Sequence, residues 1–147
     1  MGAQESKMIY IGIDTGTDTG LAIWDTDTRA LIDVTTVKIH VALGIVAWWQ
    51  KQGTPLTVVF EDARQRKWLP RERSLREFKG RAMGAGSVKR DAVIWEDFCK
   101  DLGIPYLAEP PKKGLTKWNA ETFKKVTGWE GRTSNHARDA ALLVFGR

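Results

Sequence analysis

What this chain has little of narrows its class before any motif is read. A single cysteine, Cys99, excludes a disulfide within the chain and suits a reducing compartment. It is expected to serve as a small apolar residue in a helix. No apolar run approaches the ~18 residues that a membrane-crossing helix needs. Residues 1–8 (MGAQESKM) carry no signal-peptide pattern, so a cytoplasmic location is expected. There is no internal repeat and no low-complexity linker. The 147 residues are therefore expected to form one domain over 1–147, with 1–7 as a lead-in to the first strand.

Charge of one sign is scarce in particular stretches. Residues 1–33 hold six acids against Lys7 and Arg29, whereas Arg64–Arg90 hold ten basic residues against Glu72 and Glu77. Lys112–Arg132 add six basic residues against Glu121 and Glu130. Basic blocks in a chain of otherwise ordinary composition are the electrostatic footprint of a polyanion. Seven tryptophans strengthen that reading slightly, because rings among arginines can stack on bases, although most are expected in the core.

The most informative stretch is IGIDTGTDTG, residues 11–20, an apolar strand running into an aspartate and then a second Asp-Thr-Gly. Aspartic proteases, actin-like ATPases and ribonuclease H-type nucleases all use such an aspartate, for different chemistries. The rest of the chain decides among them. Met8–Asp14, Gly20–Trp24 and Ala30–Val37 read as three strands joined by short turns, an antiparallel meander. Val41–Lys51 has helical spacing, with Val41, Ile45, Trp48 and Trp49 near one face. PLTVVFED, residues 55–62, is a fourth strand that again ends on a carboxylate.

After an Arg-rich segment, a helix with the stripe Val88, Ala92, Trp95, Cys99 and Leu102 leads to a fifth strand within GIPYLAE. Residues 115–126 look helical, and RTSNHARDAALLVFG reads as a last helix capped by Thr133 or Ser134. A meander followed by alternating helices and strands predicts an α/β domain, a mixed five-stranded sheet flanked by helices. An aspartic protease would be almost entirely β. An actin-like ATPase would need two such domains.

Asp14 and Glu61 each close an apolar strand. On parallel neighbours they would project at one edge, where open α/β sheets bind ligands. His136 and Asp139, three apart on the last helix, share a face near its start. Carboxylates gathered this way repel unless cations neutralise them, and magnesium suits an oxygen-rich site. Each residue alone has a plainer explanation as a turn, a cap or a hydrogen-bonding partner. The combination points to a metal site.

IYIGIDTGTDTGLAIWD, TVVFED and NHARDAALL, in this order across almost the whole chain, resemble the RuvC-type Holliday junction resolvases of the ribonuclease H-like fold. The resemblance implies that Asp14, Glu61, His136 and Asp139 form the catalytic and metal-binding set. It implies two Mg2+ ions, with Mn2+ as a substitute, and a homodimer making paired symmetric nicks across a four-way DNA junction. Thr15 and Arg138 depart from the family pattern, in which proline and a small residue are usual. RNA-processing members of the same group, other branched DNA such as flaps and forks, and a non-catalytic DNA-binding module are the alternatives.

The basic segments acquire roles from this resemblance. Arg64, Arg66, Lys67, Arg71, Arg73 and Arg76 follow Glu61 and would hold DNA strands by phosphate neutralisation. Trp68 is either a wedge inserted at the junction or an anchor for its own loop. Lys112, Lys113 and Lys117 fall where the family carries phosphate-binding lysines. The small residues of GRAMGAGSV either let a dimer partner approach closely or break the helix.

Overall fold

The computed structural model describes residues 7–65, 75–111 and 118–147, with the backbone alone for 75–85. Ten elements follow one another among the described residues. β1 (Ile9–Asp14), β2 (Asp18–Asp25) and β3 (Ala30–Lys38) come first, then α1 (Ile39–Lys51) and β4 (Leu56–Glu61). A short 3-10 turn at Ala63–Gln65 precedes α2 (Leu75–Leu102), β5 (Tyr106–Glu109), α3 (Ala120–Thr127) and α4 (Asn135–Val144). The strands form one mixed sheet in the order β3-β2-β1-β4-β5. The meander pairs are antiparallel, and β1–β4 and β4–β5 are parallel. The expected α/β class and five-strand sheet are therefore present. Among the described residues, no helix is long and apolar enough to cross a membrane.

Each strand divides its side chains by a period of two. Ile9, Ile11 and Ile13 of β1 point to one face with Leu21, Ile23, Val58 and Phe60. There they meet Ala42 and Val46 of α1 and Ala92, Trp95 and Cys99 of α2. The opposite face holds Ala22, Trp24, Val34 and Val59, covered by Ala137, Ala140, Ala141 and Val144 of α4 and Phe123 of α3. Each fully buried large aliphatic or aromatic chain contributes about 1.5–3 kcal/mol, so both faces are needed.

Several helix details differ from the sequence reading. α1 starts directly after β3, on Lys38, which offers no side-chain cap. Its buried side is Ala42 and Val46, and Val41 and Trp48 face outward. On α2, Ala92, Trp95 and Cys99 are buried as the stripe predicted, whereas Val88 and Leu102 at its ends are exposed. α2 also runs unbroken through Gly80, Gly84 and Gly86, so the helix-break alternative is overturned. α3 is shorter than expected, beginning after Asn119, whose side chain accepts from the Thr122 N–H.

Trp24 and Trp95 are buried, Trp49, Trp118 and Trp129 pack at the core margins, and Trp48 is exposed. Burial pushes the Cys99 thiol up to about 12, which keeps it protonated and unreactive.

Candidate active site at the carboxyl edge of the sheet

Strand directions bring chemistry to one edge. β1, β3, β4 and β5 all end there and β2 begins there, so Asp14, Lys38, Glu61, Glu109 and Asp18 share it. Asp14 and Glu61 follow the parallel pair Ile13↔Phe60. Adjacent strands lie about 4.8 Å apart, so the two acids are close neighbours along the edge.

They also share a face. A Cβ built on Gly12 would meet the Ala140 carbonyl of α4 at 2.2 Å, so Gly12, and Asp14 two residues on, face α4. Val59 packs in the α4 core cluster, which puts Glu61 on that face as well.

α4 is seated by small residues on both sides of the contact. Ser134 caps it by accepting from the Ala137 N–H at 3.1 Å, as the sequence signal indicated. The Ser134 hydroxyl also hydrogen-bonds the Thr36 hydroxyl of β3. Its alanine stripe lies on the sheet, and a Cβ on Gly20 would stand 2.0 Å from the His136 carbonyl. Gly20 is the cross-strand partner of Asp14, so its missing side chain brings the first turn of α4 directly beside that aspartate.

His136 Nδ1 lies 2.8 Å from Asp14 Oδ2. Asp139, three residues beyond His136, lies on the same flank of α4.

Arg138, the residue between them, turns the other way. Its buried guanidinium donates to the carbonyls of Trp118 and Thr133, at 3.0 and 2.8 Å, and to the side chains of Thr133 and Asn135. A large residue at this departure from the family pattern thus braces the start of α4. Beside His136, Asp18 accepts from Lys38 at 2.6 Å. That hydrogen bond, and the lysine charge behind it, holds the Asp18 carboxyl below its usual range. This edge pair was not picked out from sequence, because its partners are twenty residues apart and meet only through the β2–β3 register.

The expected DNA contacts divide into two groups. Arg64 is exposed, but its guanidinium is engaged by carboxylates of the protein itself. Its guanidinium donates to both Asp62 oxygens at 2.8 and 2.9 Å and to Glu96 at 2.9 Å. Hydrogen bonding from Arg64 is the main reason that the Asp62 and Glu96 carboxyls both lie below the usual range. Arg66, Lys67, Trp68, Arg71, Arg73, Lys112, Lys113 and Lys117 lie outside the described residues, as does the side chain of Arg76.

The donor set of Asp14, Glu61, Asp139 and His136 suits a hard divalent cation such as Mg2+ or Mn2+. Among the described residues, no three His, Cys, Asp or Glu side chains are gathered as a finished cation cage. His136 Nδ1 contacts Asp14 Oδ2 directly, and the imidazole is half-exposed. In donor type the four residues suit such an ion. No protein-family model matches the chain, and neither does any curated protein.

Proposed function

We propose that this protein is a divalent-metal-dependent endonuclease of ribonuclease H-like fold, akin to the RuvC-type resolvases. It acts on branched DNA, with the four-way junction as preferred substrate and a homodimer as the working unit. One observation carries the reading. Two carboxylates from parallel neighbouring strands, Asp14 and Glu61, face the helix that sets His136 on Asp14.

Asp14, Glu61 and Asp139 would hold the metal, with His136 assisting. When bound, two such ions activate water and balance charge on the leaving oxygen of a phosphodiester. The protein's own part is positional. The Gly12 and Gly20 contacts hold α4 against the sheet, so that the helix residues and the strand acids belong to one rigid frame. His136, half-exposed and bonded to Asp14 through Nδ1, is placed to accept or return a proton at the edge. The basic residues after Glu61 and in 112–117 supply phosphate neutralisation and hence salt-dependent affinity.

The test is incubation of the purified protein with labelled four-way junctions, flaps, duplex and RNA–DNA hybrids, in Mg2+, Mn2+ or chelator. Symmetric nicks in the junction that chelator abolishes are the expected result. Cleavage of RNA alone would move the protein to the RNA-processing alternative. No cleavage of any substrate with either ion would end the nuclease reading.

A further inference from the structure

Glu61 sits at the last position of β4, where a strand normally frays, yet the residues after it are tied down on three sides. The Asp62 N–H donates to the Glu109 carbonyl at 2.7 Å, carrying the β4–β5 ladder one step past Glu61. Gln65 Nε2 donates to the Ala108 carbonyl at 3.0 Å, fastening the turn to β5 a second time. The third tie is ionic. Buried Asp62 accepts from the Arg64 backbone N–H at 3.0 Å and from the Arg64 guanidinium through both oxygens. The same guanidinium reaches Glu96 of α2, thirty-two residues away in sequence.

Strand alternation places this arrangement opposite the candidate site. Phe60 belongs to the core cluster under α1 and α2, and Asp62 follows it on that side, whereas Glu61 points toward α4. The Asp62–Arg64–Glu96 group therefore lies across the sheet from the cation donors. The backbone from Glu61 to Asp62 joins the two sides.

We propose that Asp62, Arg64 and Glu96 form a positioning clamp that fixes the direction of Glu61 and so sets the metal affinity of the site. This rests on the nuclease reading. Groups that orient a ligand from behind typically change metal affinity 10- to 100-fold when lost. A bidentate arginine shared between two carboxylates fixes angle as well as distance, which a lysine does not reproduce. The clamp also gives an intramolecular role to the first arginine of a cation-rich segment.

Two mild variants test the idea. Glu96→Ala cuts the tie to α2 and leaves the Asp62–Arg64 pair intact, and Arg64→Lys keeps the charge but loses the fork. Mn2+ binding to the DNA-free protein is measured by calorimetry, with junction cleavage and thermal melting alongside. Lys100→Ala, which removes only an outer partner of Glu96 at 3.4 Å, serves as the control.

Both variants are expected to bind Mn2+ about 10-fold more weakly and to lower kcat, with KM for the junction within about twofold of the wild type. The control is expected to match the wild type. Wild-type Mn2+ affinity and kcat in both variants, with only a lower Tm, would reduce the group to a structural brace and overturn the proposal. A raised KM with unchanged kcat would also overturn it, making Arg64 a DNA contact instead. Absence of both Mn2+ binding and cleavage in the wild type itself would remove the nuclease reading and the clamp with it.

Discussion

The two faces of the sheet are packed by different rules. Under α1 and α2, strand residues such as Ile11, Ile13 and Phe60 are large and the helices answer with side chains, Val46 and Trp95 among them. Under α4, two strand positions are glycine and the helix answers with alanine, so backbone approaches backbone. The first arrangement maximises buried apolar area. The second trades area for closeness, and it occurs where a helix sets His136 on the strand-end Asp14. Both faces bury core residues, and the second also fixes the start of α4 on the sheet edge.

The sharpest way to break this contrast is to remove the charge that the second face serves. Asp14→Asn is expected to lower cleavage about 10^3-fold, a loss of several kcal/mol of transition-state stabilisation. Junction binding, measured by gel shift at fixed salt, is expected to change less than about twofold, because the proposed role of Asp14 is to hold the cation and not to contact phosphate. Lost binding with residual nicking would contradict the assignment.

The opposite result is expected from the other face. Ile11→Ala removes a fully buried side chain between the sheet and its covering helices. It is expected to cost about 3 kcal/mol of stability in denaturant unfolding. The folded protein should retain its kcat, since Ile11 points away from α4. A kcat that falls with stability held up by low temperature would show that the two faces are mechanically coupled.

Gly20→Ala acts between these extremes. The new methyl would lie 2.0 Å from the His136 carbonyl, so the helix must lift from β2. A cost of about 2 kcal/mol is expected from overpacking, together with a loss of activity larger than stability alone explains. Melting and kcat measured on the same preparation check both halves.

These contrasts also show what was legible in the sequence. Strand-end acids, the Ser134 cap and the five-strand order were readable because each is a local pattern: an apolar run, a capping residue, a turn. The role of Gly20 was not, since the atom that demands a glycine belongs to His136, far along the chain. The Arg64–Glu96 and Asp18–Lys38 pairs were hidden for the same reason. Charge counting placed Arg64 among the DNA contacts, and a count could not show that the same guanidinium also bridges Asp62 and Glu96. α1 was entered two residues late because Lys38 gives no capping signal. α2 continues through three glycines, where each lowers helix preference by about 1 kcal/mol and position in the fold overrides propensity.

The smallest expected effect has the opposite sign and comes from a third glycine environment. Gly44 lies on the outer side of α1, one turn from exposed Val41 and Trp48, and a Cβ there would meet nothing within 4 Å. A glycine in an exposed helix interior costs backbone entropy with no close contact in return. Gly44→Ala is therefore expected to stabilise the protein by about 0.5–1 kcal/mol, with cleavage unchanged. Thermal melting at two protein concentrations reads the sign. A gain independent of concentration means that this side of α1 faces water. A loss, or a gain that grows or shrinks with concentration, means that α1 meets another chain in solution, and that Gly44, like Gly12 and Gly20, is small because something lies against it.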